Sequence, residues 1–326
     1  MIRSNILMIG IACLATQACA ASGASKTTSE IAQLETDQYR LSASSCRLSL
    51  EVNPQVGGRI TNLTYEDQPI ILPYACSTTQ YMPFSSCNGS GSTFWTSPQR
   101  AWPNGGWPPI VAHDGGAFSG KANNGHLLLR GATDEASGTS IEKAISIDES
   151  RCAINLRYTI HAARALKTAP WEITRVSRGG LAIFPLGDKS KFADVPLQPF
   201  VKVMNDDVAW FDDTQRGAKP SKGGEKLIAD GREGWLAYAY NNKLFIKVFN
   251  DVAKDLLAPN EGDIEIYADK EFLELEQQGE YTTIAAGGSL SWPVQWRVVA
   301  IPESVKIEAG SKSLLKLIRH EVAKLR

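Results

Sequence analysis

The sequence lacks most of the signatures that would name its chemistry outright. It has no glycine-rich phosphate loop, no G-x-S-x-G elbow and no H-E-x-x-H helix, so nucleotide-dependent, serine-hydrolase and zinc-protease readings find no support. Beyond the first twenty or so residues, no stretch reaches the roughly eighteen continuous apolar residues that a membrane helix needs. An excess of charge is also missing. The chain carries 34 basic and 35 acidic residues for a formal charge of −1, which offers no broad attraction to nucleic acid or to an anionic membrane and suits a neutral partner. Histidine is scarce, at four residues, and no internal repeat of useful period is present.

What is there begins with an apparatus for export. Arg3 gives a charged start, Ile6 to Leu14 an apolar core, and Ala18-Cys19-Ala20 a small-residue cleavage site, so residues 1–20 read as a signal peptide for the periplasm. A rival reading lipidates Cys19, although Thr16 and Gln17 fit a lipoprotein box poorly. Residues 21–38 are small and polar enough to expect a flexible linker. Export leaves Cys46, Cys76, Cys87 and Cys152 in a compartment where disulfides persist, and three pairings are open. The favoured one joins Cys76 to Cys87 across a short polar loop and Cys46 to Cys152, each of which begins a strand-like run. No C-x-x-C or histidine stands near these cysteines, so no metal is expected, and no cofactor signature is present.

Alternation of apolar and polar residues dominates the rest. Cys46 to Val52 and Ile154 to Ile160 place every second residue on one apolar face. Similar runs lie at 59–65, 126–130, 140–147, 180–185, 234–240, 244–249, 264–268, 272–277 and 290–300, with Gly, Asn, Asp or Pro between most of them. So many half-buried strands and so few helical patterns predict an all-β chain, a large antiparallel sandwich in one domain over 39–302. The exception is 303–326, where Leu314, Leu315, Leu317, Ile318, Val322 and Leu325 recur at helical spacing and predict an amphipathic helix packed on the sandwich.

Three places could carry chemistry. Between Gly91 and Pro109 the chain gathers Trp95, Trp102 and Trp107 with Gln99 and Arg100. Pro98, Pro103, Pro108 and Pro109 remove backbone donors, which predicts an ordered loop rather than a helix or a central strand. Indole faces suit the C–H face of a sugar, and Gln99 and Arg100 suit its hydroxyls; the alternative is a hydrophobic plug at one end of the sandwich. His113, shortly after this stretch, is a further candidate ligand-site residue. The second place is 169–175, where Glu172 stands beside Trp171 with Arg175 nearby: either an acid raised by desolvation or a Glu172–Arg175 ion pair. The third is Phe272 to Gln278, where Glu274 and Glu276 share one strand face and Leu273 and Leu275 the other.

These pieces in this order resemble the galactose mutarotase-like supersandwich, in particular an uncharacterised branch of exported bacterial proteins. The resemblance rests on Val56-Gly-Gly-Arg-Ile60, Phe94-Trp-Thr-Ser-Pro-Gln-Arg-Ala-Trp-Pro103, Ala169-Pro-Trp-Glu-Ile-Thr174, Leu275-Glu-Gln-Gln278, Gly287-Gly288 and the Trp292 to Trp296 strand. It implies that Arg59 binds a sugar and that Glu276 is the base of an aldose 1-epimerase. Where the epimerases carry their histidine acid this chain has Trp171-Glu172, so Glu172 would replace it. The readings that follow are a carbohydrate-binding protein for a neutral mono- or oligosaccharide, an epimerase using Glu276 and Glu172, a glycoside-cleaving carboxylate pair, and a structural envelope protein.

Overall fold

The computed structural model describes residues 29–34, 37–74, 89–103, 105–187, 200–216 and 224–326. The export signal and the expected Cys76–Cys87 pairing lie outside the described residues. Among those described, the strands run β1 (Glu30–Gln33), β2 (Tyr39–Ala43), β3 (Leu48–Asn53), β4 (Arg59–Tyr65), β5 (Gln68–Pro69), β6 (Ser92–Ser97), β7 (Phe118–Asn123), β8 (His126–Gly131), β9 (Thr139–Asp148), β10 (Ala153–Ala162), β11 (Leu166–Ser177), β12 (Leu181–Pro185), β13 (Val201–Met204), β14 (Val208–Asp212), β15 (Glu225–Ala229), β16 (Trp235–Tyr240), β17 (Lys243–Phe249), β18 (Ile264–Ala268), β19 (Phe272–Gln278), β20 (Thr282–Ile284) and β21 (Ser289–Ala300). Helices are α1 (Val111–Asp114), α2 (Asp213–Arg216) and α3 (Lys312–Ala323).

The strands form two antiparallel sheets. The first has the order β1-β2-β3-β4-β6-β11-β19-β18-β15, with β5 beside β4 and β20 beside β11; the second has the order β13-β14-β12-β16-β17-β21-β10-β9-β8-β7. Period-two burial explains the stacking: β3 and β9 bury every second residue, and Leu50, Leu127, Ile154, Phe94, Leu273 and Leu275 meet in the main core. A second cluster lies on the far side of the second sheet. There Leu314, Leu315, Ile318 and Val322 of α3 cover Trp210, Trp235 and Ile246, and the Ser311 hydroxyl caps the helix by accepting from the Leu314 N–H at 3.3 Å. The amphipathic tail therefore packs on the sandwich as its spacing predicts. Cys46 and Cys152 form a disulfide with Cα atoms 5.3 Å apart.

Two expectations need correction. The supposed linker includes β1, whose residues pair with β2 from Glu30↔Ser42 to Gln33↔Tyr39. The tryptophan stretch is not all loop, since Ser92–Ser97 is a central strand between β4 and β11 and carries Trp95. Its six residues hold no proline and are rich in hydroxyl and aromatic side chains; the proline effect begins only at Pro98, where the strand stops.

Candidate functional site

A third apolar cluster, Trp95, Trp102, Ile110, Trp171 and Ile173, sits on the outer face of the first sheet, away from the main core. Strand register builds this face in rows. Trp95, Trp171 and Gln278 share one row. Thr93, Ile173, Glu276, Glu265 and Ile228 share the next. Arg175, Glu274, Tyr267 and Lys226 share the third. Glu274 and Glu276 thus face outward while Leu273 and Leu275 enter the core, as their alternation implies.

Glu276 is the centre of the face. Its Oε2 accepts from the Trp171 Nε1–H at 2.9 Å and from Lys226 Nζ at 3.2 Å, and Lys226 Nζ also reaches Glu265 Oε2 at 2.5 Å. The Lys226 ammonium lies 4.6 Å above the Trp171 ring. Burial pushes the Glu276 carboxyl up against the opposing pull of Lys226, and burial pushes Glu265 and Glu274 each up to about 7. Burial works to lower the Lys226 pKa, but the Glu265 and Glu276 carboxylates outweigh it and hold the ammonium charged above its ordinary range. Arg175 donates from Nε to Glu274 Oε1 at 2.8 Å and from a terminal nitrogen to Thr93 Oγ1 at 2.7 Å, with its guanidinium 5.3 Å from the Trp95 ring centre.

The indoles are layered. Trp102 and Trp171 each stand edge-on to Trp95 at 5.4 Å, and Trp107 does so at 6.2 Å. Trp95 donates to Asp114 Oδ1 at 2.8 Å and Trp102 to the Thr96 carbonyl at 2.7 Å. Trp95, Trp102 and Trp171 are therefore buried and satisfied inside the protein, so Trp95 and Trp102 do not offer the open indole faces that the sequence leads one to expect. Trp107 does reach solvent, with 43% of its surface exposed. Gln99 shapes the loop rather than projecting from it: its side-chain amide donates to the Gly106 carbonyl at 2.6 Å and its backbone N–H to Glu261 Oε1 at 3.2 Å. Arg100 is exposed.

Arg59 and His113 form the support beneath. Arg59 is buried and donates to the Ser90 carbonyl at 2.8 Å and to Asp114 Oδ1 at 3.2 Å. A Cβ at Gly57 would stand 2.2 Å from the Asp114 carbonyl oxygen at a φ of +74°, so only glycine lets α1 close on the turn before β4. Lys143, from the second sheet, fastens that turn by donating to the Gly57 and Gly58 carbonyls at 2.7 and 3.2 Å. His113 points its Nε2 at Thr139 Oγ1, 3.1 Å away, and burial pushes its pKa down to about 4, which keeps it neutral and inside.

Glu172 is not part of this face. It pairs in register with Gln277, one residue out of phase with Glu276, and so points between the sheets. There its Oε1 meets Lys247 Nζ at 2.9 Å, Trp296 Nε1 at 2.9 Å and Gln277 Nε2 at 2.5 Å. The expected acid and base on one sugar ring are therefore separated by the sheet itself, and neither does Glu172 pair with Arg175. Lys226, Glu265, Glu261 and Gln278 belong to the site but carried no local signal as a group; the shared parity of Glu274, Glu276 and Gln278 is the one pattern that could have revealed Gln278.

The buried acids make stability depend on pH. Asp263, at the end of β18, is pushed up to about 7 by burial and by Asp251 and Asp230, although the Gly231 N–H donates to it. Asp263, Glu265 and Glu274 hold protons in the fold that the unfolded chain releases between about pH 4 and 7, so stability declines as pH rises through that window and stays low above it. His113 acts in the opposite sense between about 4 and 6.5, and Lys143, pushed down to about 7 by burial, does so above about 7. Between pH 5 and 7 three groups act against one, so the melting temperature should be higher at pH 5 than at pH 7, and Asp263→Asn should raise it more at pH 7 than at pH 5. A melting temperature that rises steadily from pH 5 to 7 would contradict this.

Comparisons with known proteins agree with the fold. The family described as "Domain of unknown function (DUF4380)" matches residues 38–299. No curated protein matches the chain by sequence. Among solved structures, Slr1438 from Synechocystis sp. PCC 6803 is 13% identical with a TM-score of 0.56, covering 81% of this chain and 96% of its own. A candidate aldose 1-epimerase from Klebsiella pneumoniae subsp. pneumoniae MGH 78578 is 10% identical with a TM-score of 0.55, over 91% and 87%. Galactose 1-epimerase from Lactobacillus acidophilus NCFM is 10% identical with a TM-score of 0.54, over 85% and 100%. These likenesses establish a galactose mutarotase-like sandwich.

Proposed function

From the premise that the chain belongs to the DUF4380 family and folds as a galactose mutarotase-like sandwich, we propose that it is an exported carbohydrate-binding protein holding a sugar on the outer face of its first sheet. The observation that carries this reading is Trp107, an exposed indole braced edge-on by the buried Trp95 beside a cluster of buried carboxylates. A ring fixed in that way offers an apolar platform without the entropy cost of ordering a loose side chain. Lys226, 28% exposed, and Glu274, 12% exposed, are the polar members that reach solvent and can meet hydroxyls. The disulfide between Cys46 and Cys152 supports an oxidising compartment.

Binding is preferred to epimerisation because Glu172 and Glu276 lie on opposite sides of β11 and β19, whereas ring opening needs its acid and base within reach of one sugar. A glycan array followed by titration of intrinsic tryptophan fluorescence tests the proposal. Trp107→Ala should weaken binding of a captured glycan by about 10-fold or more, the worth of one stacked aromatic ring, with an unchanged melting temperature. Equal affinity in the variant would remove Trp107 as the platform. Faster anomer interconversion of aldoses by NMR, abolished in Glu276→Gln, would replace binding with epimerisation.

A further inference from the structure

Past the row of Trp95 and Trp171, the outer face of the first sheet continues into a cavity that the cluster around Glu276 does not use. Ser97 and Ala169 pair in register there, one row beyond the two tryptophans, so Ser97 shares their face. The cavity has a volume of about 290 Å³, at the lower end of the range for small-molecule sites, about 300–1,000 Å³. Pro98, Trp102, Ile110 and Leu166 give it apolar walls, and Ser137 and Thr139 close its other side from the turn between β8 and β9. Trp95 connects it to Trp107, because its ring stands edge-on to both Trp102 and Trp107.

Hydrogen bonding in this cavity is one-sided. Carbonyls on its wall are met from within the chain: Thr96 by Trp102 Nε1 at 2.7 Å, Ser97 by Thr168 Oγ1 at 2.9 Å, Pro98 by the Ala101 N–H at 3.0 Å and Ala136 by Arg164. Donors remain. Ser97 is 1% exposed, and its Oγ has no hydrogen-bond partner. The Thr139 carbonyl, 3.3 Å from His113 Nε2, can only accept, so His113 carries its proton on Nε2 and shares it with Thr139 Oγ1 at 3.1 Å. The Thr139 hydroxyl then donates to Ser137 Oγ at 2.7 Å, and the Thr139 N–H does so at 3.3 Å. With both lone pairs met, Ser137 has its own proton left to give to the cavity.

Two cations stand at the mouth. Arg164 and Lys167 line it, both are exposed, and neither forms an ion pair among the described residues. Glu135 offers Arg164 its carbonyl, at 3.3 Å, rather than its carboxylate, and the Asp134 carboxylate accepts from the Ser137 N–H at 2.7 Å. The Lys167 ammonium lies 4.6 Å from the Tyr281 ring centre. Hydroxyl donors within and cations at the rim select a ligand group that accepts hydrogen bonds and carries negative charge. A carboxylate suits the place better than a phosphate, since it brings one charge rather than nearly two against a buried hydroxyl. We propose that the cavity receives the carboxylate of an acidic sugar, a hexuronate, with Ser97 and Ser137 donating to it and Arg164 and Lys167 balancing its charge. The near-zero net charge of the whole chain does not bear on one cavity. This inference rests on the sugar-binding reading above and narrows it.

The test is a ligand series on the intact protein, in which the ring is held constant and only the acid changes. Glucuronate, its methyl ester, glucose and glucose 6-phosphate are titrated by calorimetry, and the same is done for the galactose and mannose sets. One uronate should bind at least about tenfold tighter than its ester and its parent hexose, the size of a charge-assisted hydrogen-bond set. Ser97→Ala and the double variant Arg164→Gln/Lys167→Gln, each checked for an unchanged melting profile, should shrink that preference to within about threefold while the parent hexose keeps its affinity. The comparison among ligands needs no variant, so a variant that fails to fold leaves the test intact. An ester or hexose that binds as tightly as the uronate, or a 6-phosphate that binds tighter, would overturn this proposal and leave sugar binding standing. No binding by any member of the three sets, or of a wider glycan array, would overturn both.

Discussion

Replacing Lys247 with methionine should lower the stability of the protein by about 3–5 kcal/mol, the cost of leaving a buried charge without its partner. Lys247 is wholly buried in β17, and its three N–H donors are all used: Glu172 Oε1 at 2.9 Å, Thr174 Oγ1 at 2.8 Å and the Leu275 carbonyl at 2.9 Å. The bonds run from the second sheet to β11 and β19 of the first, so the ion pair fastens the two sheets through the middle of the core. Burial pulls the Lys247 pKa down and Glu172 opposes that pull, which leaves the pair dependent on both members. Tyr158, also buried, has its phenol pushed up by burial and by the Glu172 charge, so it stays neutral beside the pair. Urea denaturation at pH 7 should show the full loss for Lys247→Met and recovery of most of it in Lys247→Met/Glu172→Gln, because a neutral amide no longer needs a counter-charge. An unchanged midpoint for the single variant would show that the pair does not hold the sheets together.

The same residue explains what could and could not be read in the sequence. Strands whose apolar face enters the core announce themselves by alternation, and β9, β10, β18 and β19 fall within a residue or two of the runs that predict them. Trp171 and Glu172 look like partners because they are adjacent, yet adjacency on a strand places two side chains on opposite faces. Once β11 is recognised as a strand, that rule alone sends Glu172 away from Trp171 and Glu276. β6 is hidden for a different reason. Four prolines follow within Pro98 to Pro109 and colour the whole stretch, although the six residues before them are strand-like. Lys226 is the hardest case. It lies 50 residues from Glu276 on the short strand β15, and only the pairing order β19-β18-β15 brings the two together. No local pattern encodes an order of that kind.

Converting Cys46 and Cys152 to alanine should cost about 4–5 kcal/mol by the loop-entropy account of a cross-link, since the two cysteines are 106 residues apart. For a domain of this size that loss corresponds to a drop of about 10 °C in melting temperature. The position of the bond accounts for the size of the effect. Cys46 ends the turn that joins β2 to β3 in the first sheet, and Cys152 lies in the turn that joins β9 to β10 in the second. The bond therefore ties the sheets at one end through covalent chemistry, while Lys247 and Glu172 tie them internally through charge. Reduction of the wild type should reproduce the loss, and reduction of the alanine variant should add to it only to the extent that Cys76 and Cys87 are also paired. A variant that melts with the oxidised wild type would mean that the two sheets need no cross-link to stay together in the unfolded-state balance, and the core with its buried ion pair would then carry that role alone.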